Sequence, residues 1–250
     1  VKITCVLSPP IPEFDDYIVV VIDVLRLSST LSVILNSNPK KLLLFDDYQN
    51  AVEQKQFNPK TISLSDDSNN SLSETYSFKS TSTCQFISRN LKGKEIAFSS
   101  TNGSNTVIKA VDALGKVYIT SLLNLTATAE TLANEVLYHK KNLAVICSGV
   151  NGNVAVDDLY VAGLLIHKTI HISRIRGFEL DDGASIAKMV HSGFSRPIDA
   201  LLASESGKRL SSMGLTSDIA LCAKMDLLKD VVIATKEDGQ YVVSHQKEDE

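Results

Sequence analysis

Short apolar runs alternate with amphipathic segments along most of the chain. DYIVVVI (16–22), with its apolar run from Tyr17 to Ile22, reads as a buried strand; SSTLSVILN (28–36) after it spaces its apolar residues as a helix does. The pattern repeats: KKLLLF (40–45) then YQNAVEQKQ (48–56), IAF (96–98) then TVIKAVDAL (106–114), KVYIT (116–120) then LTATAETLANEVLYHKK (125–141), LAVIC (143–147) then VDDLYVAGLLIHKTI (156–170). Strands apolar on both faces, each followed by a helix, predict an α/β fold: a largely parallel or mixed sheet with helices on both faces. Two stretches break the rhythm. Residues 60–83 are rich in Ser, Thr, Asp and Asn and read as a loop, hairpin or lid. Residues 181–215 carry two helical patterns, DDGASIAKMVHS and PIDALLASESGKRLSSMG, with no clear strand between them.

An open parallel sheet keeps its ligands outside the carboxyl ends of its strands, and three strand ends here are rich in chemistry. In IDVLRLSST (22–30), Asp23 closes the apolar run, Arg26 follows, and Ser28, Ser29 and Thr30 open a helix. A carboxylate there suits Mg²⁺ or nucleophilic attack, a guanidinium grips phosphate or carboxylate, and hydroxyls at a helix N-terminus suit an anion. The structural alternative is an Asp23–Arg26 pair with a serine as N-cap. In FSSTNGSNT (98–106), Ser100, Thr101, Asn102, Gly103 and Ser104 place small neutral donors where a helix exposes free N–H groups. Gly103 lets backbone come close to a ligand. In ICSGVNGNVAVDDLYVAG (146–163), Ser148 and Gly149 begin a turn, and Asp157 and Asp158 begin a helix. Those two carboxylates are cation ligands or mere partners of the helix dipole. Adjacent helical residues diverge by about 100°, so only one is expected to face a site.

Bulk properties narrow the partners. The chain has 250 residues and a net charge of −4, so no global basic field invites nucleic acid. No apolar run approaches the length of a membrane span, since Asp23 stops IVVVI. The four cysteines lie far apart with no CxxC spacing, which predicts buried free thiols and a cytoplasmic setting. Known templates fail: there is no GxxxxGK[ST], no GxGxxG and no HExxH, and Asp23 lacks the second carboxylate two residues on that haloacid-dehalogenase phosphatases use.

Together the three segments resemble one family, the 2-phosphosulfolactate phosphatases. The DVLRATST-like segment is Asp23–Thr30, the TTNGT-like segment is Ser100–Ser104, and the C-[AS]-G turn with its acidic helix is Cys147–Gly149 with Asp157–Gly163. The likeness extends through GKRLSSMG (207–214) and SDIALCAKMD (217–226). A GFDxGNSP-like segment usual in the family is represented only by LSDDSNNSL (64–72), which keeps Asp66, Asp67 and Asn69, and Asp157 stands where Glu is usual.

The resemblance implies a cytoplasmic Mg²⁺-dependent phosphatase built as one domain, or as two α/β subdomains with the site between them. Its substrate would be a small anionic phosphate ester, 2-phospho-3-sulfolactate, in a coenzyme M type of pathway. It implies Asp23, Arg26 and Asp158 as catalytic residues, and Asp23, Asp157 and Asp158 as metal ligands. Ser28, Ser29, Thr30, Ser100–Ser104, Ser148 and Gly149 would contact substrate. Attack by water or through a phosphorylated Asp23 stays open, as does a homodimer. Phosphatase action on another hydroxy acid ester and non-catalytic binding of a phospho-ligand are the competing readings.

Overall fold

The computed structural model describes residues 1–14, 16–65, 82–174 and 177–246. Most of the polar 60–83 stretch, including Asp66, Asp67 and Asn69, lies outside them. The elements run β1 (Lys2–Val6), β2 (Tyr17–Ile22), α1 (Leu27–Asn36), β3 (Lys41–Phe45), α2 (Tyr48–Phe57), β4 (Ile62–Ser65), α3 (Thr83–Phe86), β5 (Glu95–Ser99), α4 (Gly103–Leu114), β6 (Lys116–Thr120). They continue with α5 (Leu125–His139), β7 (Asn142–Cys147), α6 (Val156–Ser173), β8 (Glu179–Leu180), α7 (Asp182–Ser192), α8 (Pro197–Ala203), α9 (Glu205–Ser212), α10 (Thr216–Cys222), β9 (Val232–Glu237) and β10 (Gln240–His245).

All these strands join one mixed sheet in the order β4-β5-β3-β10-β9-β6-β2-β7-β1-β8. Parallel pairs link β4, β5 and β3 on one side and β6, β2, β7, β1 and β8 on the other. Between them the C-terminal β9–β10 hairpin pairs antiparallel to β3 and to β6. Three successive antiparallel pairings mean that the two parallel blocks run in opposite directions. The hairpin turns at Asp238-Gly239, both at positive φ, as a two-residue hairpin of type I′ requires.

The apolar runs are unbroken because both faces of the sheet are covered. Along β2, Ile18, Val20 and Ile22 enter one core and Val19 and Val21 the other, the period-2 alternation of a strand. The first core is closed by α5, α6 and α7, through Leu132, Val161, Leu165 and Ala184 among others. Helix α6 approaches α7 closely because a Cβ on Gly163 would collide with the Ala187 carbonyl. The second core is closed by α1 and α4, through Leu31, Ile34, Val107 and Val111. Helix α4 leaves β5 in one block yet packs on β2 and β6 in the other. Neighbouring strands rotate by roughly 20–25° each. The five steps from β5 to β2 therefore turn the strand direction by roughly 100–125°. In so twisted a sheet the carboxyl end of β5, although its block runs the opposite way, is carried toward the carboxyl end of β2.

The predicted strand–helix pairs are all present. The hairpin, β1, β4, β8, α3 and α10 were not foreseen, and the 181–215 stretch divides into α7, α8 and α9. All four cysteines are free thiols; Cys5, Cys147 and Cys222 are buried and Cys84 is half-buried. Among the described residues no helix is long and apolar enough to cross a membrane.

Candidate active site

The register of β2 on β7 levels their carboxyl ends: Ile22 stands opposite Cys147. The Ser148 N–H donates to the Ile22 carbonyl at 2.9 Å, which sets Asp23 beside the 148–153 turn. Asp23 is then held from the α1 side. Its Oδ1 accepts from the Leu27 N–H at 3.2 Å, its carbonyl accepts from the Ser28 N–H at 2.8 Å, and its own N–H donates to Ser28 Oγ at 2.9 Å. From the other block, α4 presents Gly103. A Cβ there would strike Asp23 Oδ2 and lie 3.0 Å from Leu27 Cβ. The glycine therefore lets the α4 N-terminus come against the carboxylate of Asp23, rather than against a ligand directly.

Helix α6 points its first turn at the same place. Asp158 accepts from the Val24 N–H at 2.9 Å and, through its other oxygen, from the Gly149 N–H at 3.0 Å. It thereby pins both strand-end turns. Gly149 has φ +64, and a Cβ there would meet the Asn153 carbonyl, so the turn is built for glycine. Asp157 is 1% exposed, and its Oδ1 is buried without a hydrogen-bond partner among the described residues.

Asp23, Asp157 and Asp158 all line one cavity of about 100 Å³. Both acidic residues of α6 face it, against the expectation of one. Residues of a first helical turn surround the axis where it ends, and this axis ends in the cavity, so the angle between them excludes neither. Burial pushes Asp157 up to about 6. It pushes Asp158 well above the usual carboxylate range, with further contributions from the charges of Asp157 and then Asp23. Glu205 and Arg209 of α9 also line the cavity, Arg209 being the cation among its lining side chains.

Thr101, Asn102 and Gly149 reach this cavity, but other predicted residues do not. Ser100 and Ser104 bond each other's backbone: the Ser100 N–H donates to Ser104 Oγ at 2.8 Å and the Ser104 N–H to Ser100 Oγ at 2.9 Å. They cap α4. Ser29 Oγ donates to the Val24 carbonyl at 2.9 Å, and Thr30 Oγ1 shares a hydrogen bond with Thr83 Oγ1 at 2.9 Å. With Ser28 they build the turn that carries Asp23. Arg26 is not among the described residues that line the cavity; its Nη1 lies 2.7 Å from Oδ2 of fully buried Asp218. Asp218 also accepts from Ser82 Oγ at 2.7 Å and the Cys84 N–H at 3.1 Å. Ser148 borders an adjoining cavity. From the sequence, Arg209 reads with Lys208 as a solvated helix end or as a group that reaches the substrate's sulfonate, and the structure places it at the cavity wall.

The donor set admits a hard cation. Among the described lining residues, three aspartates and Glu205 against one guanidinium would repel a phosphate dianion, and a cation in their midst removes that repulsion. Among the described residues no three His, Cys, Asp or Glu side chains converge closely enough to hold a metal by themselves. Mg²⁺ asks less than that, since it keeps several waters and takes one or two carboxylates plus the substrate phosphate.

The strand ends of this α/β fold gather carboxylates around a small cavity, and sequence comparison places the chain among the phosphoric monoester hydrolases. The chain belongs to the 2-phosphosulpholactate phosphatase family, whose model matches residues 6–237. It is 27% identical over 227 residues to a probable 2-phosphosulfolactate phosphatase of Caldanaerobacter subterraneus, covering 88% of this chain and 91% of the relative. Proteins of the same description from Deinococcus radiodurans and Thermus thermophilus are each 26% identical over 208 residues. Those alignments cover 83% of this chain and 83% and 84% of the two relatives.

Proposed function

We propose that this chain hydrolyses 2-phospho-3-sulfolactate to 3-sulfolactate and phosphate, a reaction of the coenzyme M biosynthetic type, with Mg²⁺ as cofactor. The observation that carries the reading is the buried, unpartnered Oδ1 of Asp157 in a cavity shared with Asp23 and Asp158. A buried carboxylate oxygen without a donor is costly unless a cation or ligand completes it. Asp23 and Asp157 are the donors that would hold Mg²⁺, with Asp158 beside them. Bound there, the ion supplies positive charge against the phosphoryl oxygens.

The chain's own groups position the ester. Arg209 faces the cavity from α9 and offers its guanidinium to the phosphoryl group. Thr101 and Asn102 add neutral donors. Asn102 Oδ1 accepts from the Asn151 N–H at 3.1 Å, which ties the β5–α4 turn to the 148–153 turn. Asp158, with both oxygens engaged by backbone N–H groups, keeps the two strand ends in register. Phosphoryl transfer needs chiefly this positioning and neutralisation of charge.

The test is phosphate release from 2-phospho-3-sulfolactate, with Mg²⁺ and after chelation, beside phosphoglycolate, phospholactate and p-nitrophenyl phosphate. Fast release that chelation abolishes and Mg²⁺ restores, with preference for the sulfonated ester, is expected. Equal rates in chelator would refute the metal, and preference for another ester would refute the substrate. Rapid-quench trapping of phosphorylated Asp23 would separate covalent from direct attack by water.

A further inference from the structure

Beside the carboxylate cavity lies a second one, of about 360 Å³. The two share Thr101 and Asn102, so they are neighbouring compartments on either side of the β5–α4 turn. Their chemistry differs. One wall of the second is the proline-rich stretch Pro9–Pro12. Proline rings carry no N–H donor and hold the backbone stiff, so this wall is stiff and largely apolar, with Ile11 keeping the one backbone N–H of Pro9–Pro12. The facing wall is α4, whose Asn102, Asn105, Thr106 and Lys109 fall on one face at helical spacing. From Asn102 to Lys109 the helix rises roughly 10 Å, about the length of a small multiply charged ester. Ser148 also lines it; it is buried, and its hydroxyl has no partner among the described residues.

Lys109 and Glu13 are the charged side chains that line this second compartment. Both are exposed. Neither forms an ion pair or a side-chain hydrogen bond among the described residues. A cation and an anion bordering one cavity without pairing can each act on the charge of whatever occupies it.

We infer that this compartment receives the organic end of the ester whose phosphoryl group sits among the carboxylates, and that Lys109 and Glu13 select its charge. The ligand class is a phosphate ester on a short carbon body bearing a further carboxylate or sulfonate. Lys109 attracts that second acid group, the prolines pack the carbon body, and Glu13 sets a limit on how much negative charge is accepted. The inference rests on the phosphatase reading of the neighbouring cavity.

The experiment compares Lys109→Met and Glu13→Gln with the parent on two esters at low salt: 2-phospho-3-sulfolactate and p-nitrophenyl phosphate, which lacks a second acid group. Lys109→Met is expected to raise KM for the first about two- to fivefold, the range of an exposed ion pair. Glu13→Gln is expected to lower it by a similar factor. Both effects fade as ionic strength rises, kcat stays unchanged, and neither variant moves p-nitrophenyl phosphate. Parallel shifts on both esters, shifts of one sign in both variants, or no shift would overturn the inference. If the parent hydrolyses no ester, the phosphatase reading falls and calorimetric binding of 3-sulfolactate, which has no phosphate, decides this one. Weaker binding by Lys109→Met and tighter by Glu13→Gln would sustain it. Equal affinities, or no binding by the parent, would end it.

Discussion

Replacing Gly103 with alanine separates the site from the fold. Glycine in a helix interior is about 1 kcal/mol worse than alanine, and at Gly103, the first residue of α4, the substitution would gain only part of that. Here the new methyl meets Asp23 Oδ2 and also lies 3.0 Å from Asp23 Cγ and from Leu27 Cβ. The carboxylate must retreat by about 1 Å to regain ordinary contact distance, which pulls it from the Leu27 N–H at 3.2 Å. Overpacking costs about 1–3 kcal/mol, but here much of it is relieved by rotating the end of one short side chain. The propensity gain and the residual crowding therefore nearly cancel, and stability should stay within about 1 kcal/mol of the parent.

Activity has no such relief. A misplacement of about 1 Å in a reacting constellation costs on the order of a hundredfold. Gly103→Ala should therefore lose about two orders of magnitude in kcat for phosphate release while its urea midpoint barely moves. Phosphate release and urea melts on one preparation read both quantities. A variant that is fully active would show that Asp23 is not held in its working position by the α4 N-terminus. One that is unfolded would show that the contact is structural first.

The carboxyl group of Asp157, raised to about 6 by burial, binds its proton in the folded state over a range where the unfolded chain has lost it. Stability of the chelated protein should fall by about 3 kcal/mol as pH rises from 4 through 6. Asp157→Asn should flatten that slope, being more stable than the parent at pH 8 and equal to it near pH 4; a pH-independent difference in urea melts would refute the assignment. Arg26→Met leaves Asp218 charged, buried and short of a partner, and should cost about 3–5 kcal/mol. The double variant Arg26→Met/Asp218→Asn should regain much of this, and a single variant as stable as the parent would show the pair to be dispensable. Arg209→Ala should raise KM for every phosphate ester by about two- to fivefold and leave thermal stability unchanged; an unaltered KM across the panel would remove Arg209 from the site.

The alternation of strands and helices was legible because a strand covered on both faces has no polar interruption, and β2 and β7 have none. The β9–β10 hairpin carried its own signal, Asp238-Gly239 between two β-branched runs, the strongest short-range mark of a type I′ turn. Its place in the sheet had no local mark. Pairing with β3 and β6 joins residues more than a hundred positions apart, as in Val242 with Leu43 and Tyr118 with Ile233. That insertion reverses one parallel block against the other, so the sequence order of the strands could not tell which strand ends would meet.

The same distinction divides the site. Asp23, Asp157 and Asp158 stood out because charged residues rarely follow apolar strands into a buried setting without a function or a partner. Their convergence follows from one register, Ile22 opposite Cys147, which puts two acidic turns side by side. The hydroxyls of 28–30 and 100–104 also stood out, and for a reason local pattern cannot resolve: the same groups that suit an oxyanion also suit a helix N-terminus. Here Ser28, Ser100 and Ser104 serve the backbone, while Thr101 and Asn102, between the two capping serines, face the cavity. Arg26 was the residue local spacing served least, because its partner Asp218 is 192 positions away. Its Nη1 is engaged by that buried carboxylate at 2.7 Å. Arg209, which does line the cavity, is carried by α9, an element whose approach no local pattern announces.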